Sequence, residues 1–195
     1  MKPSEDNKAY ARFFANAIGF DAKIYKYFDH NESHSVALVS VVDPIDKNVL
    51  IFSTIGVSDY PNNIEGSDGG VLNMPVELLM VGYKHYDKVP NILSTVSFYI
   101  TKDGLECMPG TIFVNTISDF YDSDMKHIMF IEPYLWADKL SKREFGKKKV
   151  HCLLLVPISD NELDYRGEYG ANALERLLFA DEEIDLYDIK RKSVV

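Results

Sequence analysis

Four closely spaced carboxylates, Asp160, Glu162, Asp164 and Glu168, are the side chains of this chain best placed for acid–base work or for holding a hard cation. Five histidines come next, His30, His34, His85, His127 and His151, and none stands in HExxH or another helical metal spacing. His127 and His151 can face each other across neighbouring strands, or each can be an ordinary packed or exposed imidazole. Cys107 and Cys152 are far apart and form no CxxC. A Cys107–His127 nucleophile pair would need a third group that spacing alone does not supply, and no GxSxG elbow is present. The glycine-rich GSDGG at 66–70 invites comparison with a phosphate loop. It lacks the following Lys-Ser/Thr and the following helical pattern, so it reads as a connection or bulge. No catalytic residue, metal ligand or cofactor is therefore expected.

The carboxylates are better explained by the element that carries them, within LLLVPISDNELDYRGEYGANALERLL at 153–178. Ser159 followed three residues later by Glu162 is a capping box, in which the hydroxyl accepts from the Glu162 amide and the carboxylate from the Ser159 amide. Asp160 and Asp164 then favour the positive end of the helix dipole. Pro157 closes the preceding strand. At about 100° per residue, Leu163, Gly167, Gly170, Leu174, Leu177 and Leu178 share an inward face, with the glycines allowing close approach. Opposite them lies a stripe of Tyr165, Tyr169, Asn172 and Arg176, flanked by Asp164, Glu168 and Glu175. Tyrosine and arginine are enriched at binding hot spots, and an acidic flank would suit a basic protein partner. A covering loop, or scattered exposed aromatics, is the alternative account. Tyr134 and Trp136 in EPYLW form a second aromatic pair, for which core packing and an interface are both open.

The remaining elements follow from periodicity. Tyr10, Phe13, Phe14, Ala17 and Ile18 mark one helix over 5–18, closed by Gly19, and Val89, Ile92, Leu93, Val96 and Ile100 mark another that starts around Pro90 and closes at Gly104. KIYKYF, SVALVSVV, NVLIFSTI, VELLMVGY, TIFVN, KHIMFI and KKKVHCLLLV read as strands, with SVALVSVV and NVLIFSTI joined antiparallel through DPIDKN. The outcome is an α+β protein of 195 residues, expected to form one domain over 1–195.

Composition narrows the function classes. The chain is 46% hydrophobic and 26% charged, as in ordinary globular proteins, with no apolar run long enough to span a bilayer and no secretory leader. The cysteines read as reduced thiols, which places the protein in the cytoplasm. The net charge is −9, and residues 160–188 carry ten acids against Arg166 and Arg176. Residues 139–149 hold six basic side chains and one acid. The surface is thus dipolar and acidic overall, which disfavours direct nucleic-acid binding.

Taken together, ELLM at 77–80, MPGTIF at 108–113, the 153–178 stretch and IDLYDIKR at 184–191 resemble the suppressor-of-fused-like family, over about residues 35–192 and in its short bacterial form. The resemblance implies a single compact α+β domain with a mixed, mostly antiparallel sheet flanked by about three helices. It implies a non-catalytic immunity protein, or antitoxin, that binds and masks a cognate toxin. For that branch the toxin is of the LXG polymorphic type with a nuclease domain. It also makes Pro157, the capping residues and Gly170 structural, together with Asp188 and Arg191, which are expected to form a local ion pair or backbone contact. An enzyme with an unrecognised carboxylate or Cys/His site, and a scaffold for a non-toxin protein, are the competing classes.

Overall fold

Apolar residues alternate along the strands so that both faces of one sheet are buried. On β2 (Ser35–Val42), Val39 and Val41 enter one core while Val36 and Leu38 enter the other. On β6 (Val76–Tyr83), Leu79 and Val81 oppose Val76, Leu78 and Met80 in the same way. Such strands demand cover on each side. The structure, a computed structural model, describes residues 3–19, 21–66, 68–134, 136–140, 143–146, 148–181 and 183–195. Lys142 and Lys147 of the basic stretch, and Glu182 of the acidic one, lie outside the described residues.

The main sheet runs β1-β2-β3-β6-β10-β8-β7, with β9 paired to β10. Besides β2 and β6, its strands are β1 (Lys23–Phe28), β3 (Val49–Ile55), β7 (Ile112–Phe113), β8 (Met125–Ile131), β9 (Arg143–Phe145) and β10 (Lys148–Ser159). Only β6 and β10 are parallel; the other neighbours are antiparallel. A separate hairpin pairs β4 (Asn63–Glu65) with β5 (Val71–Asn73); of the GSDGG motif between them Ser67 lies outside the described residues, and Gly66 and Gly70 are bridged by the Gly66 amide donating to the Gly70 carbonyl at 2.7 Å, as in a connection. Helix α2 (Val89–Thr101) covers one face. The other is covered by α1 (Glu5–Ile18), the short α3 (Ala137–Leu140) and α5 (Ala171–Leu178), with Leu186 of the C-terminal tail.

Two expectations about the 153–178 stretch change. Strand β10 does not end at Pro157 but continues through Ser159, and its register against β8 shifts between Ile158 and Ser159. A proline next to such an irregularity is tolerated inside a sheet. The helix that follows is two helices, α4 (Asp160–Tyr169) and α5, broken at Gly170. Gly170 has φ +87° and ψ 163°, a conformation available essentially to glycine alone. Gly167 is exposed with open space around its Cα, so neither glycine serves close helix packing.

The start of α4 is fixed by the expected capping box and by a cation that spacing did not indicate. Ser159 Oγ accepts from the Glu162 amide at 3.2 Å and Glu162 Oε2 accepts from the Ser159 amide at 2.9 Å. Arg191 then grips the same carboxylate, with Nη1 donating to Oε1 at 2.6 Å and Nη2 to Oε2 at 2.9 Å. Its remaining bonds reach the carbonyls of Pro157 (2.8 Å) and Lys192 (2.9 Å). Arg191 therefore pairs with Glu162 and not with Asp188. Between 188 and 191 only the backbone contact forms, from the Arg191 amide to the Asp188 carbonyl at 3.1 Å. Removing one partner of a buried pair strands the other charge. Arg191→Met should lower unfolding stability in urea by about 3–5 kcal/mol, and Glu162→Gln combined with Arg191→Met should recover part of that loss.

Candidate functional site

The buried histidine and the two buried thiols are not poised for chemistry. His127, on β8 and 2% exposed, accepts at Nδ1 from the Asn115 amide (2.8 Å) and bonds through Nε2 to Asp160 Oδ1 (2.9 Å). With the first nitrogen an acceptor, the second carries the proton, and neither is left for a substrate or for Cys107. Lys126 also binds Asp160 and, with His127, holds its carboxyl below the usual range. His151 lies opposite Val76 and His127 opposite Ile158, so the two histidines do not face each other. The thiols of Cys107 and Cys152 are both pushed up to about 12 by burial, which removes the thiolate that reactivity needs.

Glu77, within the ELLM segment, is the buried acid that spacing did not single out. It is fully buried on β6 and accepts from Thr54 Oγ1 (2.5 Å), the Gly56 amide (2.8 Å) and Ser58 Oγ (2.8 Å). Burial raises its pKa in spite of these donors. The carboxylate fastens the turn after β3 to the sheet and has no opening to solvent. Among the described residues, no group of three or more His, Cys, Asp or Glu side chains converges as a metal site, and no helix is long and apolar enough to cross a membrane.

The surface over α4 and α5 has a different character. The break at Gly170 divides the expected stripe: Tyr165 and Tyr169 belong to α4, Asn172 and Arg176 to α5. Tyr165 is half-buried against the core and its ring lies 4.5 Å from that of Tyr169, which is 57% exposed. Glu168 hydrogen-bonds the Tyr169 hydroxyl and raises its pKa. Asp164 and Glu168 are exposed beside them. On α5, Asn172, Glu175 and Arg176 line an open groove of about 520 Å³ with Phe179. Phe179 in turn meets Tyr134 edge-on at 4.5 Å, and the Tyr134 hydroxyl bonds that of Tyr187 at 3.2 Å. The structure thus brings Tyr134 to the α5 groove, through a phenylalanine and a tyrosine that periodicity did not select. Trp136 is only partly exposed and packs on the core.

Backbone chemistry holds this surface in place. Gly110, at φ +86° in the Pro109-Gly110 turn, approaches α5 so closely that a Cβ there would stand 2.7 Å from the Ala171 Cβ. Arg166 of α4 donates to the Gly110 carbonyl at 2.9 Å. The C-terminal tail is tied down by Tyr83 to Asp185, Tyr86 to Asp188 and Ser123 to the Ile189 carbonyl.

The comparisons with known proteins agree with this fold. Suppressor of fused protein (SUFU) is the family that matches, over residues 32–192, and the chain belongs to it. Across its whole length it is similar to Immunity protein YqcF of Bacillus subtilis (strain 168), at 38% identity over 196 residues and 100% of both chains. Its fold is shared with a putative SUFU homologue from Neisseria gonorrhoeae FA 1090, at TM-score 0.68 and 15% identity, covering 98% of this chain and 97% of that one. A chain of the Sufu–Fu complex matches at TM-score 0.68 and 12% identity, over 99% and 93% of the two chains. Drosophila Suppressor of Fused matches at 0.69 and 13%, over 98% of this chain and 52% of that one.

The two glycines of the 153–178 stretch should respond in opposite directions. Gly170→Ala forces a side chain into a glycine-only conformation and should cost about 1–3 kcal/mol. Gly167→Ala adds helix propensity in open space and should stabilise by up to about 1 kcal/mol. Thermal or urea unfolding of the two variants reads the sign directly.

Proposed function

We propose that this chain is an immunity protein that binds a cognate protein toxin and neutralises it by masking, without catalysing a reaction. The observation that carries the reading is the full-length 38% identity to Immunity protein YqcF. The charge supports it. A nuclease must present basic groups to a phosphate backbone, and an acidic protein of net charge −9 can cover them while accelerating encounter. The family resemblance makes that toxin one of the LXG polymorphic type with a nuclease domain. The protein meets it in the bacterial cytoplasm, touching neither nucleic acid nor membrane.

The face over α4 and α5 is the docking surface in this reading. Tyr169, Asn172, Glu175 and Arg176, with Tyr134 and Phe179, supply the aromatic and polar anchors, and Asp164 and Glu168 the acidic rim. Tyr165 and Trp136 contribute mainly by supporting the exposed rings from the core side. Isolated aromatic and arginine anchors carry most of the energy of such contacts. With the toxin encoded beside this chain as the binding partner, Tyr169→Ala combined with Arg176→Ala should raise the dissociation constant by about thirtyfold or more at an unchanged Tm. Tyr165→Ala should instead lower Tm. Wild-type affinity in the double variant would exclude this face, and failure of the wild-type chain to bind the toxin would overturn the immunity reading itself.

A further inference from the structure

The end of the sheet away from this face is built to be covered. Among the described residues, strand β1 is outermost and pairs only with β2, whereas the opposite end of the sheet is β7, just two residues long. Ile24 is 63% exposed, Tyr25 45% and Phe28 52%. The register Ile24 to Val39 and Tyr25 to Leu38 places these side chains on both faces of the strand. An open edge of six residues with exposed apolar groups on each side is a template for another strand. Lys23 and Lys26 are the charges that could shield it, but Lys26 folds its ammonium over the Phe28 ring at 4.8 Å. The strand's far end is pinned by Asp29, which binds Lys102 of the α2 C-terminus at 2.8 Å. The edge is therefore presented in a fixed position.

We propose that β1 joins two copies of this chain, edge to edge and antiparallel, into one continuous sheet. The argument is self-complementarity. A two-fold axis perpendicular to the sheet pairs residues of the same face, so the allowed registers differ by whole pleats. With Tyr25 on the axis, Tyr25 meets Tyr25 of the second copy, and Lys23 meets Tyr27 in two equivalent places. Ile24 packs along the stem of Lys26. Each Lys23 ammonium then has an aromatic ring opposite it and no like charge directly across. The next register, centred on Lys26, sets two ammonium groups face to face. Overall charge does not oppose the contact strongly. Helix α4 packs on β8 and β10, four or five strands from β1, a distance of roughly 19 Å or more that is well beyond the screening length. The pairing leaves the face over α4 and α5 free and does not depend on the toxin reading.

Analytical ultracentrifugation of the full chain tests the proposal. The wild-type protein should sediment as a concentration-dependent dimer. Tyr25→Lys should raise its dissociation constant at least about tenfold by placing like charges on the axis, with Tm unchanged because the side chain is already solvated. Both native thiols are buried, so a single introduced cysteine can be read alone. In the paired register Tyr25→Cys brings its Cα within about 5 Å of its copy and should oxidise to an interchain disulfide, whereas Phe28→Cys should not. A monomeric wild-type chain, or a dimer untouched by Tyr25→Lys, overturns the proposal. So does a monomer whose toxin binding is lost in Tyr25→Lys, which would assign the strand to a partner protein.

Discussion

The buried pair of Glu162 and Arg191 is the interaction on which the rest of the α4–α5 side depends. Glu162 is completely buried and Arg191 is 8% exposed. Taking two such ions out of water costs several kcal/mol each, which close pairing and further hydrogen bonds must offset. Besides the pairing itself, those bonds come from the amide of the capping residue Ser159, the carbonyls of Pro157 in β10 and Lys192 in the tail, and the tail amide of Val194, which donates to Glu162 Oε1 at 2.9 Å. One carboxylate thus decides where α4 starts, where the strand before it is held, and where the chain's last residues lie. The tail in turn carries Tyr187 to Tyr134, which links the aromatic patch beside α5 to the same segment.

This architecture explains why acids and histidines that could do chemistry are spent on structure. Glu77, His127 and Asp160 each satisfy a turn, a loop amide or a helix start, and their donors and acceptors are used within the protein. Tyr169, Asn172, Arg176, Tyr134 and Phe179, by contrast, are exposed, and the aromatic and arginine side chains among them are of the kinds enriched at contacts. Tyr169, Asn172 and Arg176 sit on short helices held by Gly110 and Arg166, with Phe179 just past α5, and fixing a surface in this way reduces the ordering cost of any contact it makes. A preorganised face of this kind suits inhibition by covering.

Much of the fold was legible because period and punctuation agree. The alternation in SVALVSVV and VELLMVGY gave strands with two buried faces, and Ser159 with Glu162 gave the helix start within a residue. The helix break was not legible, because a glycine in a helical pattern is compatible with close packing, with a cap or with an interruption. Only the backbone conformation of Gly170 separates these. Of the local ion pair or backbone contact expected between Asp188 and Arg191, the backbone contact forms, whereas the ion pair goes to Glu162, because sequence proximity says nothing about a carboxylate twenty-nine positions away. The connection between Tyr134 and α5 was hidden for the same reason: it runs through Phe179 and Tyr187, and no spacing rule joins those three residues.

The central proposal, neutralisation of a toxin by masking, is tested most directly by titrating with this chain the nuclease activity of the toxin-like product of an adjacent gene. The account predicts that activity falls linearly to background and ends at a fixed stoichiometry, with the toxin recovered intact and active after the complex is dissociated. A toxin that remains fully active under excess chain, or one that is chemically altered by it, would contradict the account.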